Sequence, residues 1–95
     1  MLEKDVQAKV RRYAESKGWL TRKWSSMNVR GVPDCIFINS FGVVIFVEFK
    51  SEKGRLSKLQ KLEIDKLRDN GAEVYVVNSV DLGKKLVDLY SGIKK

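Results

Sequence analysis

The sequence predicts one α/β domain over residues 1–95, in which helices flank a mixed β-sheet and the elements follow the order α-β-β-β-α-β-α. Three observations support this fold class. The length, 95 residues, suits a single small domain. Apolar residues make up 43% of the chain, which is enough for one core. Short apolar strands alternate with segments whose apolar residues recur at helical spacing.

The first element is predicted to be a helix over residues 2–17. Val6, Val10 and Ala14 recur there at helical spacing, and Gly18 ends the segment. We therefore expect these three side chains to pack inward.

Three strands are predicted next, separated by a polar loop and a short turn. They are WLTRKW, CIFINS and VVIFVEFK, with SSMNVRGVPD between the first two and NSFG between the last two. The turn predicts an antiparallel hairpin. The run from Val43 to Val47 is typical of a strand that is buried on both faces.

The second half predicts a helix, a strand and a final helix. Ser57 to Asn70 has helical spacing and is ended by Gly71, AEVYVV is a strand, and the last helix runs from Ser79 to about Gly92. A helical crossover joins parallel strands, so the sheet should be mixed. The residues expected on one face of the last helix are Leu82, Leu86, Leu89 and Tyr90.

Composition narrows the function classes. Lys and Arg outnumber Asp and Glu by 19 to 12, and the formal charge of +7 favours a polyanionic partner such as nucleic acid over an incidentally basic surface. The absence of histidine excludes His-dependent nucleases, Ser-His hydrolases and His-ligated zinc. Any metal must then be held by oxygen, which suits Mg²⁺, Mn²⁺ or Ca²⁺.

The compartment is predicted from the same data. A single cysteine, Cys35, cannot form an internal disulfide and fits a reducing environment. No apolar run is long enough to cross a bilayer, and the charged start of the chain is unlike a signal peptide. We therefore expect a cytoplasmic protein.

The end of the predicted hairpin carries three ionisable residues. Glu48 and Lys50 point to one face of their strand, while Phe49 points into the core on the other. In an antiparallel hairpin Asp34 lies beside them. Two carboxylates could then converge on a divalent cation, with the Phe49 carbonyl as a further ligand and Lys50 close to a phosphate. The alternatives are a turn residue for Asp34 and a surface ion pair for Glu48 and Lys50.

These residues resemble the signature of the PD-(D/E)XK nucleases. Asp34 follows Pro33, and Glu48-Phe49-Lys50 closes the hairpin. The combination of RGVPD, an apolar hairpin, EFK and a downstream helix with Gln60 is more narrowly similar to the VRR-NUC family, in particular its small standalone phage and bacterial members. The resemblance covers nearly the whole chain and implies a restriction-endonuclease-like fold.

The resemblance implies a role for each residue of the motif. Asp34 and Glu48 would be metal ligands, together with the Phe49 carbonyl. Lys50 would position or activate the attacking water and stabilise charge in the transition state. Gln60 would help to orient the water or Lys50.

Gln60 and Glu3 have competing interpretations. Ser57 and Gln60 form the S-x-x-Q pattern of a capping box, and we expect Gln60 to serve both roles only if its side chain changes rotamer. Glu3 is the candidate for a further metal ligand. It shares a helix face with Val6 and Val10 and so needs a partner, although a first-turn Glu can simply favour the helix dipole.

A set of polar residues in the flanking loops is predicted to contact DNA backbone, the alternative being a solvated polar surface. The set comprises Lys23, Ser25, Arg30, Lys53, Arg55 and Lys58.

The resemblance implies a Mg²⁺- or Mn²⁺-dependent endonuclease that acts on branched DNA as a homodimer, in the manner of a Holliday-junction resolvase. The final helix and the two tryptophans are candidates for the dimer interface. The alternatives are a nickase or flap nuclease, a non-catalytic DNA-binding module of the same fold, and a small protein-binding domain with an incidental charge excess.

Overall fold

Three helices and four strands make up the protein, in the predicted order. The computed structural model describes residues 1–95. The strands are β1 (Leu20–Lys23), β2 (Cys35–Ile38), β3 (Val44–Phe49) and β4 (Glu73–Val77). The helices are α1 (Glu3–Ser16), α2 (Lys58–Asp69) and α3 (Val80–Ser91). None of the three helices is long and apolar enough to cross a bilayer.

The four strands form one mixed sheet in the order β1-β2-β3-β4. The pairs β1–β2 and β2–β3 are antiparallel, whereas β4 runs parallel to β3 after the α2 crossover. The predicted hairpin and crossover are therefore confirmed. In the β2–β3 register Cys35 lies opposite Val47, so Asp34 and Glu48 lie at the same end of the hairpin.

The core lies between one face of the sheet and the helices α1 and α3. Alternate residues of β2 and β3 point to this face and are fully buried, namely Cys35, Phe37, Ile45, Val47 and Phe49. The expected inward stripe of α1 packs against them, namely Val6, Val10 and Ala14. Gly83 of α3 allows a close helix crossing, because a Cβ there would lie 2.3 Å from a methyl group of Val10.

The opposite face of the sheet is covered by α2 beside β4. Ile64 of α2 and Val74 of β4 are buried there, and the Arg68 guanidinium donates to the Val74 carbonyl at 2.7 Å. Glu48 and Lys50 belong to this face because strand side chains alternate. The helix that follows β3 therefore packs on the side of the sheet that carries the charged residues.

Two predictions of burial need correction. The β3 run is not buried on both faces, because Val44 is 40% exposed and Phe46 is half-buried. The single helix on that side packs beside β4 and leaves them partly open. In α3, Leu86 and Tyr90 are buried as predicted, but Leu82 and Leu89 are exposed. Gly83 and Val87 form the rest of the packed stripe, so two of the four predicted positions were wrong.

Candidate metal-binding and catalytic site

The end of the β2–β3 hairpin holds Asp34 firmly against β3. The Phe49 backbone N–H donates to Asp34 Oδ2 at 2.8 Å, and the Trp24 backbone N–H donates to the Asp34 carbonyl at 2.8 Å. Since the N–H and C=O of a strand residue leave the same edge, the Phe49 carbonyl also faces the Asp34 side of β3. The Lys50 N–H instead donates to Val77 of β4. The expected proximity of Asp34 to the end of β3 is observed.

Glu48 is a buried carboxylate with partners for only one of its oxygens. Its side chain is 1% exposed. Lys50 Nζ lies 3.3 Å from Oε2, and Gln60 Nε2 donates to the same oxygen at 3.0 Å. Oε1 is buried and has no hydrogen-bond partner. A buried carboxylate oxygen without a partner costs free energy of folding, so a further positive group near this atom would stabilise the ionised carboxylate.

The electrostatic surroundings of Glu48 lead to the same conclusion. Burial, and after it the charge of Asp34, raise the pKa of its carboxyl group, while Lys50 acts in the opposite direction, and the net result is a pKa of about 7. Near neutral pH the ionised form is therefore poorly stabilised by the protein groups alone. A bound cation would stabilise the ionised form.

Glu3 brings a third carboxylate to this place from the start of α1. One carboxylate oxygen each from Glu3, Asp34 and Glu48 lies within 4.8 Å of the others. Glu3 and Asp34 are half-buried. Three converging carboxylate oxygens suit a hard divalent cation of the Mg²⁺ or Mn²⁺ type. The donor set and the unpartnered Glu48 oxygen thus fit a metal ion.

The Gln60 side chain makes the capping contact and reaches Glu48 in one rotamer, so the expected change of rotamer is not needed to bring it to the site. Its role in orienting the water or Lys50 stays a prediction. Its Oε1 accepts from the Ser57 backbone N–H at 2.9 Å, and the Ser57 hydroxyl accepts from the Gln60 backbone N–H. The two interactions form the capping box of α2. The other end of the same amide, Nε2, donates to Glu48. The helix cap therefore aims the amide at the site.

The six residues proposed to contact DNA lie around this site and are exposed. Lys23 ends β1 opposite Cys35, next to Asp34 in the sheet, and Lys58 begins α2. The others lie in the connecting loops. Of their basic side chains, none forms an ion pair with an acid. The exposed set comprises Lys23, Ser25, Arg30, Lys53, Arg55 and Lys58.

Gly31 was not assigned a role from the sequence, and the structure gives it one. Its φ of +87° is in the region that favours glycine. A Cβ there would lie 2.5 Å from the Leu59 carbonyl oxygen and 2.9 Å from the Gln60 nitrogen. The loop before Asp34 thus touches the backbone of the first turn of α2. The glycine in RGVPD could have indicated a close backbone approach, but the sequence does not reveal which backbone segment it approaches.

Comparisons with known proteins agree with the resemblance. The family model described as the VRR-NUC domain matches residues 3–81, an interval that contains every candidate site residue. A solved structure described as a VRR_NUC domain is 36% identical, with a TM-score of 0.84, and the match covers 93% of this chain and 96% of that chain. No curated protein matches the chain. The predicted restriction-endonuclease-like α/β fold, a nuclease-type fold, is thus confirmed. The chain belongs to the VRR-NUC domain family.

Proposed function

We propose that the chain is a Mg²⁺- or Mn²⁺-dependent endonuclease, formed as one domain over residues 1–95, that hydrolyses phosphodiesters in branched DNA. The observation that carries the proposal is the convergence of three carboxylates beside a lysine in a protein with a formal charge of +7. Buried acids that face a polyanion are of no use to a simple DNA binder, but they are required to hold a cation against a phosphate.

Glu3, Asp34 and Glu48, with the Phe49 carbonyl, would hold the cation, whose chemistry there would be to polarise the phosphate and lower the pKa of water near neutral pH. The protein's own side chains position the site and supply the positive charge. Asp34 is fixed by the Phe49 N–H. Lys50, which is 13% exposed, keeps a positive charge beside Glu48 at the place where negative charge builds on the phosphate.

Gln60 is the positioning residue of this proposal. Its amide binds Glu48 Oε2, the oxygen that Lys50 also approaches. It thereby helps to fix the rotamer of the carboxylate and leaves Oε1, which has no hydrogen-bond partner, available to hold the cation. The six exposed DNA-contact residues would bind the backbone on either side of the cut and orient the phosphate over the site. Among the six, we favour Arg30 and Arg55 as contacts to the DNA backbone.

The preferred substrate is a four-way junction, cut by a homodimer in the cytoplasm. Cutting two strands requires two sites, and a two-fold dimer matches the symmetry of a junction. A nickase or flap nuclease would use the same site once. The rival from another class is a DNA-binding module of the same fold that does not cut.

The test is cleavage of a labelled four-way junction in Mg²⁺ or Mn²⁺, compared with a flap, a nicked duplex and a linear duplex. We expect paired cuts in the junction. Asp34→Asn and Lys50→Ala should abolish cutting and retain binding. If the wild-type protein binds junctions and never cuts them in either metal, the binding module is correct. Preferential cutting of the flap or of a single strand would favour the second enzyme class.

A further inference from the structure

A groove beside the acid cluster is built from the β1–β2 loop (residues 24–34) and the first turns of α2. We call it the loop–α2 groove. Its volume is about 470 Å³, which is within the range of about 300–1,000 Å³ typical of small-ligand pockets. Its walls are Asn28, Val29 and Arg30 on the loop and Leu59, Leu62 and Lys66 on the helix.

The apolar walls of the loop–α2 groove face solvent. Val29 is 44% exposed, Leu59 is 47% exposed and Leu62 is 53% exposed. Single exposed apolar side chains are ordinary on protein surfaces, but three that line one depression from two different elements form a surface suited to an apolar partner.

The groove is fixed to the candidate site by backbone contact. Gly31, next to Arg30, lies against the backbone of Leu59 and Gln60 so closely that no side chain would fit. Leu59 in turn precedes Gln60, whose amide binds Glu48. The loop ends at Asp34. Whatever occupies the groove is therefore held next to the phosphate that the acid cluster would bind.

The charges around the groove favour one class of occupant. Arg30 and Lys66 line it, and Glu63 is the only acid among its lining residues. The Asn28 side chain offers an amide donor and an amide acceptor at its edge. Apolar walls, a hydrogen-bonding edge and flanking cations match a nucleobase that has left its stack but keeps its phosphates.

We infer that the loop–α2 groove receives one unstacked DNA base next to the cleaved phosphodiester, and that this contact selects branched DNA over linear duplex DNA. The inference rests on the proposed function and deepens it. Val29, Leu59 and Leu62 pack on the faces of the base, Asn28 contacts its edge, and Arg30 and Lys66 contact the phosphates beside it. Linear duplex DNA offers such a base only at the full cost of unstacking and unpairing, whereas a base at a branch point has fewer stacked neighbours to lose and leaves the stack at a lower cost.

The test uses a synthetic four-way junction with 2-aminopurine, paired with thymine, at the position next to the branch, in Ca²⁺ so that binding is measured apart from cleavage. The wild-type protein should raise the 2-aminopurine fluorescence on binding, because the base leaves the stack. Leu62→Ser should lose most of this rise and weaken binding to the branched DNA by about tenfold, the size expected for one lost base contact.

Phe41→Ala is the matched control, because Phe41 is 44% exposed and lies in the turn at the other end of the hairpin. It should behave as wild type. A wild-type protein that saturates the DNA without a fluorescence rise would overturn the inference, as would an unchanged rise with Leu62→Ser. A loss of dimers on light scattering with Leu62→Ser would overturn it too, by assigning the groove to contacts between copies.

The two proposals fail separately in this design. Cleavage in Mg²⁺ or Mn²⁺ without a fluorescence rise would retain the nuclease and remove the base contact. A fluorescence rise without cleavage in either metal would retain the base contact and remove the nuclease. Circular dichroism of Leu62→Ser checks that the variant is folded, which we expect because the side chain is largely exposed.

Discussion

Glu48 is a buried carboxylate whose ionised form is poorly stabilised by the surrounding protein groups. It is buried, its Oε2 is shared by Lys50 and Gln60, and its Oε1 has no partner. Replacing such a group by a neutral one often stabilises a protein while removing its activity. The residue therefore offers a measurement that needs no substrate.

The first prediction concerns the pH dependence of stability without metal. The pKa of Glu48 rises from 4.5 to about 7 on folding, chiefly because of burial. Between these values the folded protein holds a proton that the unfolded chain has lost, so the free energy of unfolding should fall as the pH rises through this interval. Glu48→Gln should remove the fall and be more stable than wild type at pH 8, by about 1–3 kcal/mol.

Denaturant unfolding in EDTA at pH 5 and pH 8 measures this effect. Glu52→Gln is the control, since Glu52 is exposed, and it should keep the wild-type pH dependence. The account is contradicted if wild type and Glu48→Gln lose the same stability between the two pH values.

The second prediction separates the two roles of Gln60. Ser57→Ala removes one half of the capping box and should cost about 1 kcal/mol of stability, but it leaves the Gln60 amide free to bind Glu48. Gln60→Ala removes the other half of the capping box and the Glu48 contact together. At a temperature where both variants are folded, we expect kcat to fall much more for Gln60→Ala, with KM for the DNA little changed. Equal losses of kcat in the two variants would show that the residue acts only as a cap.

At the scale of elements, the hairpin was predictable and the loop before it was not. Alternation and the NSFG turn fix the β2–β3 register, and the register alone brings Asp34 to Glu48. The backbone contact between Gly31 and α2 depends on how an irregular loop packs on a helix far along the chain, which no local pattern encodes. The exposed positions of Leu82 and Leu89 likewise depend on the close crossing of α1 and α3 at Gly83.

The third prediction tests this loop with two glycines of equal backbone geometry. Gly31 and Gly71 both have a φ of +87°, but a Cβ at Gly71 would meet nothing within 4 Å. Alanine at either position should cost about 1–2 kcal/mol of stability from the left-handed backbone. Gly31→Ala must also push the loop away from α2.

We therefore expect Gly31→Ala to lose cleavage and Mn²⁺ affinity well beyond the effect of its lower stability, while Gly71→Ala loses stability alone. Thermal unfolding, a Mn²⁺ titration and cleavage rates below the unfolding transition measure the three quantities. Equal cleavage by the two folded variants would remove Gly31 from the set of positioning residues.

At the scale of the whole molecule, the formal charge of +7 bears on how the protein would bind DNA. Three of the twelve acids converge at the site, and the exposed basic residues proposed to contact DNA form no ion pairs. DNA affinity should fall steeply as salt rises, because bound phosphates release counterions. A protein-binding domain with an incidental charge excess would show no such dependence.

The fourth prediction assigns part of this salt dependence to Arg55. Arg55→Ala should weaken binding to all DNAs by a similar factor and reduce the slope of log affinity against log salt by about one. Lys85→Ala, which removes the same charge from an exposed position on α3, should change the slope little. Fluorescence anisotropy across a salt series measures both, and identical slopes for the two variants would place the DNA elsewhere.

The central claim is that Glu3, Asp34 and Glu48 together hold a divalent cation. Electron paramagnetic resonance of Mn²⁺ at pH 7.5 tests it most directly, because the signal of free Mn²⁺ falls as the ion binds. The wild-type protein should reduce the free signal stoichiometrically, and Asp34→Asn should abolish the reduction, while Asp69→Asn, at an exposed acid on α2, should retain it. A wild-type protein that leaves the free signal unchanged, or an Asp34→Asn variant that binds Mn²⁺ as well as wild type, would contradict the claim.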